Sequence, residues 1–326
     1  LAQGRTAFVL VDALRFEMAA ELQRLAAALD PAWQATLTPA LASAPTVTEV
    51  GMASLMPGAE QGLTVVEGKA GKLLAVVAGV ELKDRSKRVD HWSAAVKAPA
   101  EVVKLAELAP LTSKSLDKKL QAAQAILVTA TEEIDGLGET NPALARRMLD
   151  DALNQLRRGV KALFNLGVQH VVITADHGYL FGERLTEGEG IDAPGGQTAV
   201  LKRRVWVGKG GDSIAGVLRK PLSAFGVGGD LELATPQNLS CFKAAGSNKE
   251  YFHGGLSLPE LVIPLLVIQS QAKPAAGLAM PISWTVTLGS KVISTRFVSV
   301  TVSGSGEGLL AVQPPAVRAE VRAGGQ

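Results

Sequence analysis

Three short apolar runs, separated by segments with helical spacing, constrain the fold of this 326-residue chain more than any other feature. The runs are Thr6–Val11, Ala125–Ala130 and 168–174. A strand is continuously apolar when both of its faces are buried, as in a parallel sheet covered by helices on both sides. Apolar residues recur at helical spacing over 16–29 and 142–163. This order predicts an α/β fold with a mostly parallel sheet flanked by helices.

Acidic side chains follow each of the three runs. Asp12 comes directly after the first, Asp135 lies in an acidic loop after the second, and Asp176 with His177 follows the third. The carboxyl ends of parallel strands meet at one edge of the sheet, where ligands bind in α/β proteins. Buried carboxylates are costly unless they are paired or bind a metal. Since oxygen and imidazole ligands suit zinc, manganese or magnesium, we predict a divalent-metal site at this edge.

The composition excludes several classes of protein. A single cysteine allows no intrachain disulfide, no zinc site built on several cysteines and no cysteine-ligated iron–sulfur cluster. With 33 Lys and Arg against 31 Asp and Glu, the net charge of +2 argues against a surface that binds nucleic acid throughout. No apolar run reaches the ~18 residues of a membrane span, and no signal peptide is visible. We therefore expect a cytoplasmic protein without membrane contact.

The length and the changes in composition predict two domains. We expect a core over 1–270, in which the polar stretch 83–119 forms a helical insertion lying over the sheet. A linker rich in small residues follows at 271–279, and alternating residues with Gly-rich turns predict a small all-β module over 280–326. The start at Leu1, directly before the first strand, indicates a piece of a longer protein.

Several local patterns bear on the site. Thr46 and Glu49 fit a capping box, S/T-x-x-E, so Thr46 and Thr48 have a helix-capping interpretation beside any functional one. Strands are predicted over 73–80 and 199–207. The second of these contains the basic run Lys202-Arg203-Arg204, which fits either an exposed strand face or a nucleic-acid groove. We interpret His91 and His170 as structural, and we expect Cys241 to be a buried small hydrophobic residue.

Four stretches carry a family likeness. The chain contains, in order, VLVDALR at 9–15, APTVTEV at 44–50 with SLMPG at 54–58, ITADHGY at 173–179, and FHGGLSLPE at 252–260 with VIPL at 262–265. Together these stretches resemble the PglZ branch of the alkaline phosphatase superfamily, which is found in the BREX and phage growth limitation systems of phage defence. The resemblance covers roughly residues 5–270 and implies an alkaline-phosphatase-like sheet flanked by helices.

The resemblance also implies a metal site with a threonine nucleophile. Thr48 would attack phosphorus, which a divalent cation favours by lowering the pKa of the hydroxyl and a helix start favours through its free N–H groups. Arg15 would contact phosphate oxygens. Two ions about 4 Å apart would stabilise the attacking and leaving oxygens. The implied ligands are Asp12, Thr48, Asp176 and His177 for one ion, and Asp135 and His253 for a second.

Glu139 departs from the family pattern. Four residues after the acid that corresponds to Asp135, superfamily members often carry a histidine ligand, and here that position is Glu139. A glutamate can ligate zinc or manganese, or serve only as an acid in the first turn of a helix. We expect one or two ions, zinc first, with manganese or magnesium as alternatives. The absence of a Cys/Ser-x-Pro-x-Arg segment argues against the sulfatase branch.

The function that this resemblance implies is a metal-dependent phosphatase or phosphodiesterase of a phage-defence system. Its substrate would be a phosphate ester or phosphodiester, and its partners would be other phage-defence proteins. Two alternatives stay open: a catalytically weak or inactive scaffold of a phage-defence complex, and a metal-dependent nuclease that binds nucleic acid through the basic run at 202–204.

Overall fold

A computed structural model of the chain describes residues 4–30, 32–69, 71–108, 114–182, 190–244, 250–270, 283–288 and 300–305. The chain divides into two compact units, Leu1–Gln271 and Ala272–Gln326. Within the described residues the helices are α1 (Phe16–Leu29), α2 (Thr48–Ser54), α3 (Arg85–Ala95), α4 (Leu105–Leu108), α5 (Lys114–Ala122), α6 (Leu137–Thr140), α7 (Pro142–Asn165) and α8 (Leu258–Leu261). The strands are β1 (Thr6–Val11), β2 (Trp33–Leu41), β3 (Leu63–Glu67), β4 (Leu73–Val77), β5 (Val80–Glu81), β6 (Ala100–Lys104), β7 (Ala125–Ala130), β8 (His170–Ala175), β9 (Leu180–Phe181), β10 (Gln197–Lys202), β11 (Val205–Lys209), β12 (Val217–Pro221), β13 (Glu232–Pro236), β14 (Tyr251–Phe252), β15 (Val262–Ser270), β16 (Ser283–Leu288) and β17 (Val300–Ser305).

A six-stranded sheet in the order β2-β15-β8-β1-β7-β6 organises the first unit. β1 pairs in parallel with β7 and β8, and β6 pairs in parallel with β7, whereas β15 runs antiparallel to β8 and β2. The predicted α/β fold with a mostly parallel sheet flanked by helices is therefore confirmed. Val11 lies opposite both Ala130 and Ala175, so the three central strands end at the same level.

Both faces of the central strand β1 are buried, which explains its uninterrupted apolar sequence. On one face, Val11 belongs to a cluster with Leu22 of α1 and Leu156 of α7. On the other face, Leu10 belongs to a cluster with Val50 of α2 and the small sheet β3-β4-β5. Burying a Val or Leu side chain stabilises the fold by roughly 1.5–3 kcal/mol relative to exposure, so alternate residues hold layers on both sides.

Three segments differ from their predicted structure. The stretch 83–119 contains helices, but it also supplies β6, whose mostly half-exposed side chains suit the edge of the sheet. The predicted strand over 73–80 ends at Val77, because a turn through Ala78 and Gly79, both with positive φ, reverses the chain into β5. The predicted strand over 199–207 is two strands, β10 and β11, with a tight turn at 203–204.

The second unit is described only over its paired strands. β16 and β17 run antiparallel. The predicted linker at 271–279 and the predicted strand at 309–321 lie outside the described residues. Among the described helices of the whole chain, none has the length and apolar character needed to cross a membrane.

Candidate metal centre

The aligned ends of β1 and β8 bring together a first group of side chains. Asp12, Asp176 and His177 are buried, and their ligand atoms lie within 4.8 Å of one another. The His177 Nε2 atom is 3.3 Å from Asp176 Oδ2 and 3.7 Å from Asp12 Oδ1. Thr48, the first residue of α2, places its Oγ1 atom 3.2 Å from the same His177 Nε2. Four residues from three separate motifs thus meet at one point.

A second group shares His177 with the first. Asp135, His177 and His253 are buried, and their ligand atoms also lie within 4.8 Å of one another. The imidazoles of His177 and His253 are stacked, with centroids 4.4 Å apart. The His253 Nε2 atom is 3.4 Å from Oε1 of Glu139, whose side chain is 51% exposed. Glu139 therefore stands at the open side of this group.

The electrostatics of the first group call for a cation. Burial raises the pKa of Asp12 well above its ordinary value, and the charges of Asp176 and Asp135 raise it further. Burial also raises the pKa of Asp176 and lowers that of His177. Within the described part of the chain, the buried atoms Oδ1 of Asp12 and Oδ2 of Asp176 accept no hydrogen bond. Since a bound divalent ion is often the largest charge in such a site, these residues fit a metal ion.

Contacts behind the two histidines leave the same ring nitrogen available in each. The Nδ1 atom of His177 lies 3.0 Å from the carbonyl oxygen of Gly178, and Nδ1 of His253 lies 3.1 Å from that of Thr46. A carbonyl only accepts, so Nδ1 carries the proton in the neutral ring and Nε2 keeps its lone pair. Metal-binding histidines typically have this arrangement, in which Nδ1 donates to a backbone carbonyl and Nε2 is left to bind the metal.

Asp176 and Asp135 are also held by neighbours. The Oδ1 atom of Asp176 accepts the backbone N–H groups of Ala13, at 3.1 Å, and of His177, at 3.0 Å. The hydroxyl of Tyr251 donates to Oδ1 of Asp135 at 3.1 Å, and burial raises the pKa of that hydroxyl well above its ordinary value. Each carboxylate therefore has one fixed oxygen, which orients the other.

The loop that carries His253 is tied to the segment that carries Thr48. The Thr46 hydroxyl donates to the carbonyl of Gly255 at 2.7 Å and accepts the N–H of Gly254 at 3.0 Å. The predicted capping box is consequently wrong: α2 has Val47 as its N-cap, with no side-chain cap, because Thr46 is used by the neighbouring loop. Thr46 joins two parts of the site instead.

A buried ion pair supports the same loop. The Arg204 and Glu260 side chains are 1% and 0% exposed and form an ion pair of 3.2 Å. Glu260 also accepts the N–H of Gly255 at 2.9 Å and the Ser257 hydroxyl at 2.5 Å. The interpretation of 202–204 as an exposed strand face is therefore wrong for Arg204, which lies in the β10–β11 turn and points into the interior.

The arginines near the candidate site are not only the one predicted from the sequence. Arg15, predicted to contact phosphate, forms an ion pair with Glu17 and lies over the Tyr179 ring, so its phosphate contact stays a prediction. Two arginines that sequence reasoning missed, Arg85 and Arg88, line a cavity of about 280 Å³ together with Asp12 and Thr48. The available signal was the basic first turn of a helix whose N-cap, Asp84, accepts the N–H of Lys87.

The remaining singled-out residues lie elsewhere. His91 contacts the carbonyl oxygen of Pro57 at 2.8 Å, His170 begins β8, and Cys241 is buried. None of the three belongs to either group of candidate metal ligands in the described residues.

Comparison with known proteins identifies relatives in sequence. The family described as the BREX system PglZ alkaline phosphatase-like domain matches residues 2–268. The alkaline phosphatase-like protein PglZ of Bacillus cereus (strain H3081.97) is 23% identical over 284 residues, which cover 81% of this chain and 30% of that protein. The chain thus spans less than a third of the length of this curated relative.

Solved structures of similar fold include a phosphonoacetate hydrolase and an ectonucleotide pyrophosphatase/phosphodiesterase. Phosphonoacetate hydrolase from Sinorhizobium meliloti 1021, in complex with phosphonoacetate, has a TM-score of 0.52 at 14% identity, covering 81% of this chain and 89% of that chain. Murine ectonucleotide pyrophosphatase/phosphodiesterase 5 has a TM-score of 0.52 at 9% identity, covering 81% and 88%. An inactive form of the murine protein, in which a threonine is replaced by alanine, was solved with AMP; its TM-score is 0.51 at 9% identity, covering 82% and 88%. At these identities the likeness shows the fold alone.

Proposed function

Because the chain belongs to the family of PglZ alkaline phosphatase-like domains, we propose that it is a metal-dependent phosphoric ester hydrolase with Thr48 as its nucleophile. The observation that carries the proposal is the position of the Thr48 hydroxyl, 3.2 Å from His177 Nε2 and beside the buried carboxylates of Asp12 and Asp176. An alcohol directed at a candidate metal site is the arrangement that phosphoryl transfer through a covalent intermediate requires.

The residues divide into two ligand sets. Asp12, Thr48, Asp176 and His177 would hold one ion, and Asp135, His253 and Glu139 a second. Bound there, divalent ions supply charge that lowers the pKa of the threonine hydroxyl and neutralises phosphate oxygens. Zinc is the first choice because imidazole and carboxylate ligands suit it, and manganese or magnesium are the alternatives for the more carboxylate-rich set.

Thr48 then performs the chemistry in two balanced steps. Its Oγ1 atom would form a bond to phosphorus while the bond to the leaving alcohol oxygen breaks, and the hydroxyl proton would pass through solvent to that leaving oxygen. Water next attacks the phosphorylated Thr48, which restores the threonine and releases phosphate or a phosphate monoester. The reported inactivity of the murine structural relative after a threonine-to-alanine change is consistent with such a role.

The fixed oxygens and ring nitrogens of the site support this proposal. Since backbone groups hold one oxygen of Asp176 and the Nδ1 atoms of both histidines, the remaining donor atoms need little reorganisation when an ion and substrate bind. The chain itself would therefore supply the geometry on which the rate depends.

The test is hydrolysis of a chromogenic phosphate monoester and a chromogenic diester with added zinc or manganese. Thr48→Ala should abolish turnover, while Thr38→Ala, the same change at an exposed position of β2, should leave it unaltered. Turnover by Thr48→Ala at the wild-type rate would show that Thr48 is not the nucleophile.

A second candidate function is a scaffold in a phage-defence complex, in which the site binds metal without efficient catalysis. The half-exposed Glu139, within 3.4 Å of His253 Nε2, favours it, because a carboxylate in this place lowers the positive charge available to a substrate. Tight metal binding together with no turnover of either ester would support the scaffold. We infer for both candidates that the partners are other proteins of a BREX-type system, consistent with the family description.

A further inference from the structure

A pair of arginines on α3 faces the candidate nucleophile. Arg85 and Arg88 are three residues apart, so they project from the same side of the helix. Both line the cavity of about 280 Å³ whose wall also contains Asp12 and Thr48. The helix belongs to the stretch 83–119, which carries none of the motif residues.

Arg88 has an uncommitted side chain. Within the described residues its guanidinium forms neither an ion pair nor a hydrogen bond, although the side chain is only partly exposed. The carboxylates of Asp176, Asp12 and Glu49 act on it electrostatically. A guanidinium offers five N–H donors in a planar fork, which suits two oxygens of a phosphate. Guanidinium N–H groups that have no acceptor and lie beside the candidate nucleophile indicate a place where a ligand oxygen would bind.

Arg85 is anchored, which fixes the helix relative to the sheet. Its Nη2 atom donates to Oγ1 of Thr129, on β7, at 2.5 Å. The rest of the cavity wall is largely apolar, with Leu10, Met52, Met56, Val89 and Leu127. Charge-assisted hydrogen bonds are stronger where such walls exclude water.

We propose that Arg88, with Arg85 beside it, binds the non-bridging oxygens of the phosphate that Thr48 attacks. This proposal rests on the proposed hydrolase function and assigns the role that the sequence suggested for Arg15 to a different element. It makes α3 part of the substrate site, so the chemical class recognised is an ester that carries at least one phosphate negative charge next to the reacting bond.

The first measurement is binding of inorganic phosphate to the zinc-loaded protein by calorimetry. Arg88→Ala should weaken phosphate binding about 10- to 100-fold, the range expected for a hydrogen bond to a charged group. Arg88→Lys should recover only part of it, because a lysine provides no planar fork. Lys87→Ala, on the exposed side of the same helix, is the matched control and should bind like wild type.

The second measurement separates this inference from the proposed function. Thr48→Ala should lose turnover but keep phosphate binding, whereas Arg88→Ala should raise KM and lower kcat while its circular dichroism spectrum and urea midpoint stay those of wild type. Phosphate binding that depends on Arg88 in a protein without turnover would still support the arginine site. Wild-type phosphate affinity in a folded Arg88→Ala variant, or no phosphate binding by the wild-type protein, would overturn it.

Discussion

Replacing Glu260 by glutamine should reveal how much of the site depends on a buried ion pair far from the chemistry. The substitution keeps the volume but leaves the Arg204 guanidinium, which is 1% exposed, without its counter-charge. Breaking a buried pair by removing one partner costs about 3–5 kcal/mol. Two carbonyls, of Asn238 and Ser240, still accept from Arg204, which places the expected loss near the lower end of that range.

The same substitution should also reach the metal site. Glu260 accepts the N–H of Gly255, and Gly255 belongs to the loop that carries His253. Glu260→Gln should therefore weaken zinc binding and also lower the free energy of unfolding. The glutamine amide has a single oxygen, so it cannot accept from all the groups that donate to Glu260.

Urea unfolding in the presence of a chelator measures the stability, so that metal binding does not mask the change. The matched control is Asp230→Asn, which removes the partner of Lys209 from an exposed ion pair and should have no measurable effect. An unfolding free energy for Glu260→Gln within about 1 kcal/mol of wild type would show that the buried Arg204–Glu260 pair contributes no more than an exposed pair.

Three further predictions concern the residues that form or position the candidate metal ligands and Thr48. Tyr251→Phe removes the hydroxyl that holds Asp135 and should weaken metal affinity roughly 10-fold by calorimetric titration; unchanged affinity would contradict that role. Because folding raises the pKa of Asp12 and Asp176, the metal-free protein should lose stability as the pH rises above about 3.9, the ordinary aspartate value, and chelator should lower Tm more at pH 8 than at pH 5. An equal chelator effect at both pH values would speak against it. Gly51→Ala would place a Cβ atom 2.5 Å from the carbonyl oxygen of Asp176, so it should displace Thr48 and reduce turnover at least 10-fold in a protein that still folds; full activity would show that α2 can yield.

The sequence predicted the parts of the site that follow from strand ends. Asp12 and Asp176 could be placed together because their strands are continuously apolar, and parallel strands of equal length end at one edge. The registers of Val11 with Ala130 and Ala175 agree with that expectation. Asp135 was expected at the same edge because its loop follows the second run, although a π-helical turn carries it. For His253, which lies on a loop far along the chain, only the family resemblance suggested that it approaches the same point.

The roles of side chains that act through tertiary contacts could not be predicted from local sequence patterns. Arg204 appeared as one member of a basic run, and nothing local distinguishes it from Arg203, because its partner Glu260 lies 56 residues away. Thr46 fits a capping box by spacing, yet its hydroxyl bonds a loop more than 200 residues distant. Local propensity is a weak guide wherever a polar side chain can gain a buried long-range partner.

The departure at Glu139 and the arginines of α3 belong to one charge balance. The carboxylates of Asp12, Asp135, Asp176 and Glu139 sum to −4 when ionised, and two divalent ions would add +4, which leaves no net charge for an incoming phosphate. A histidine in place of Glu139 would leave +1 there. On the proposed function, the positive charge for a phosphate would then come from outside the proposed ligand sets. Among the described residues, Arg88 and Arg85 line the cavity beside Thr48. A guanidinium pair on α3 would restore for a phosphate the positive charge that the carboxylate beside the proposed second ion offsets.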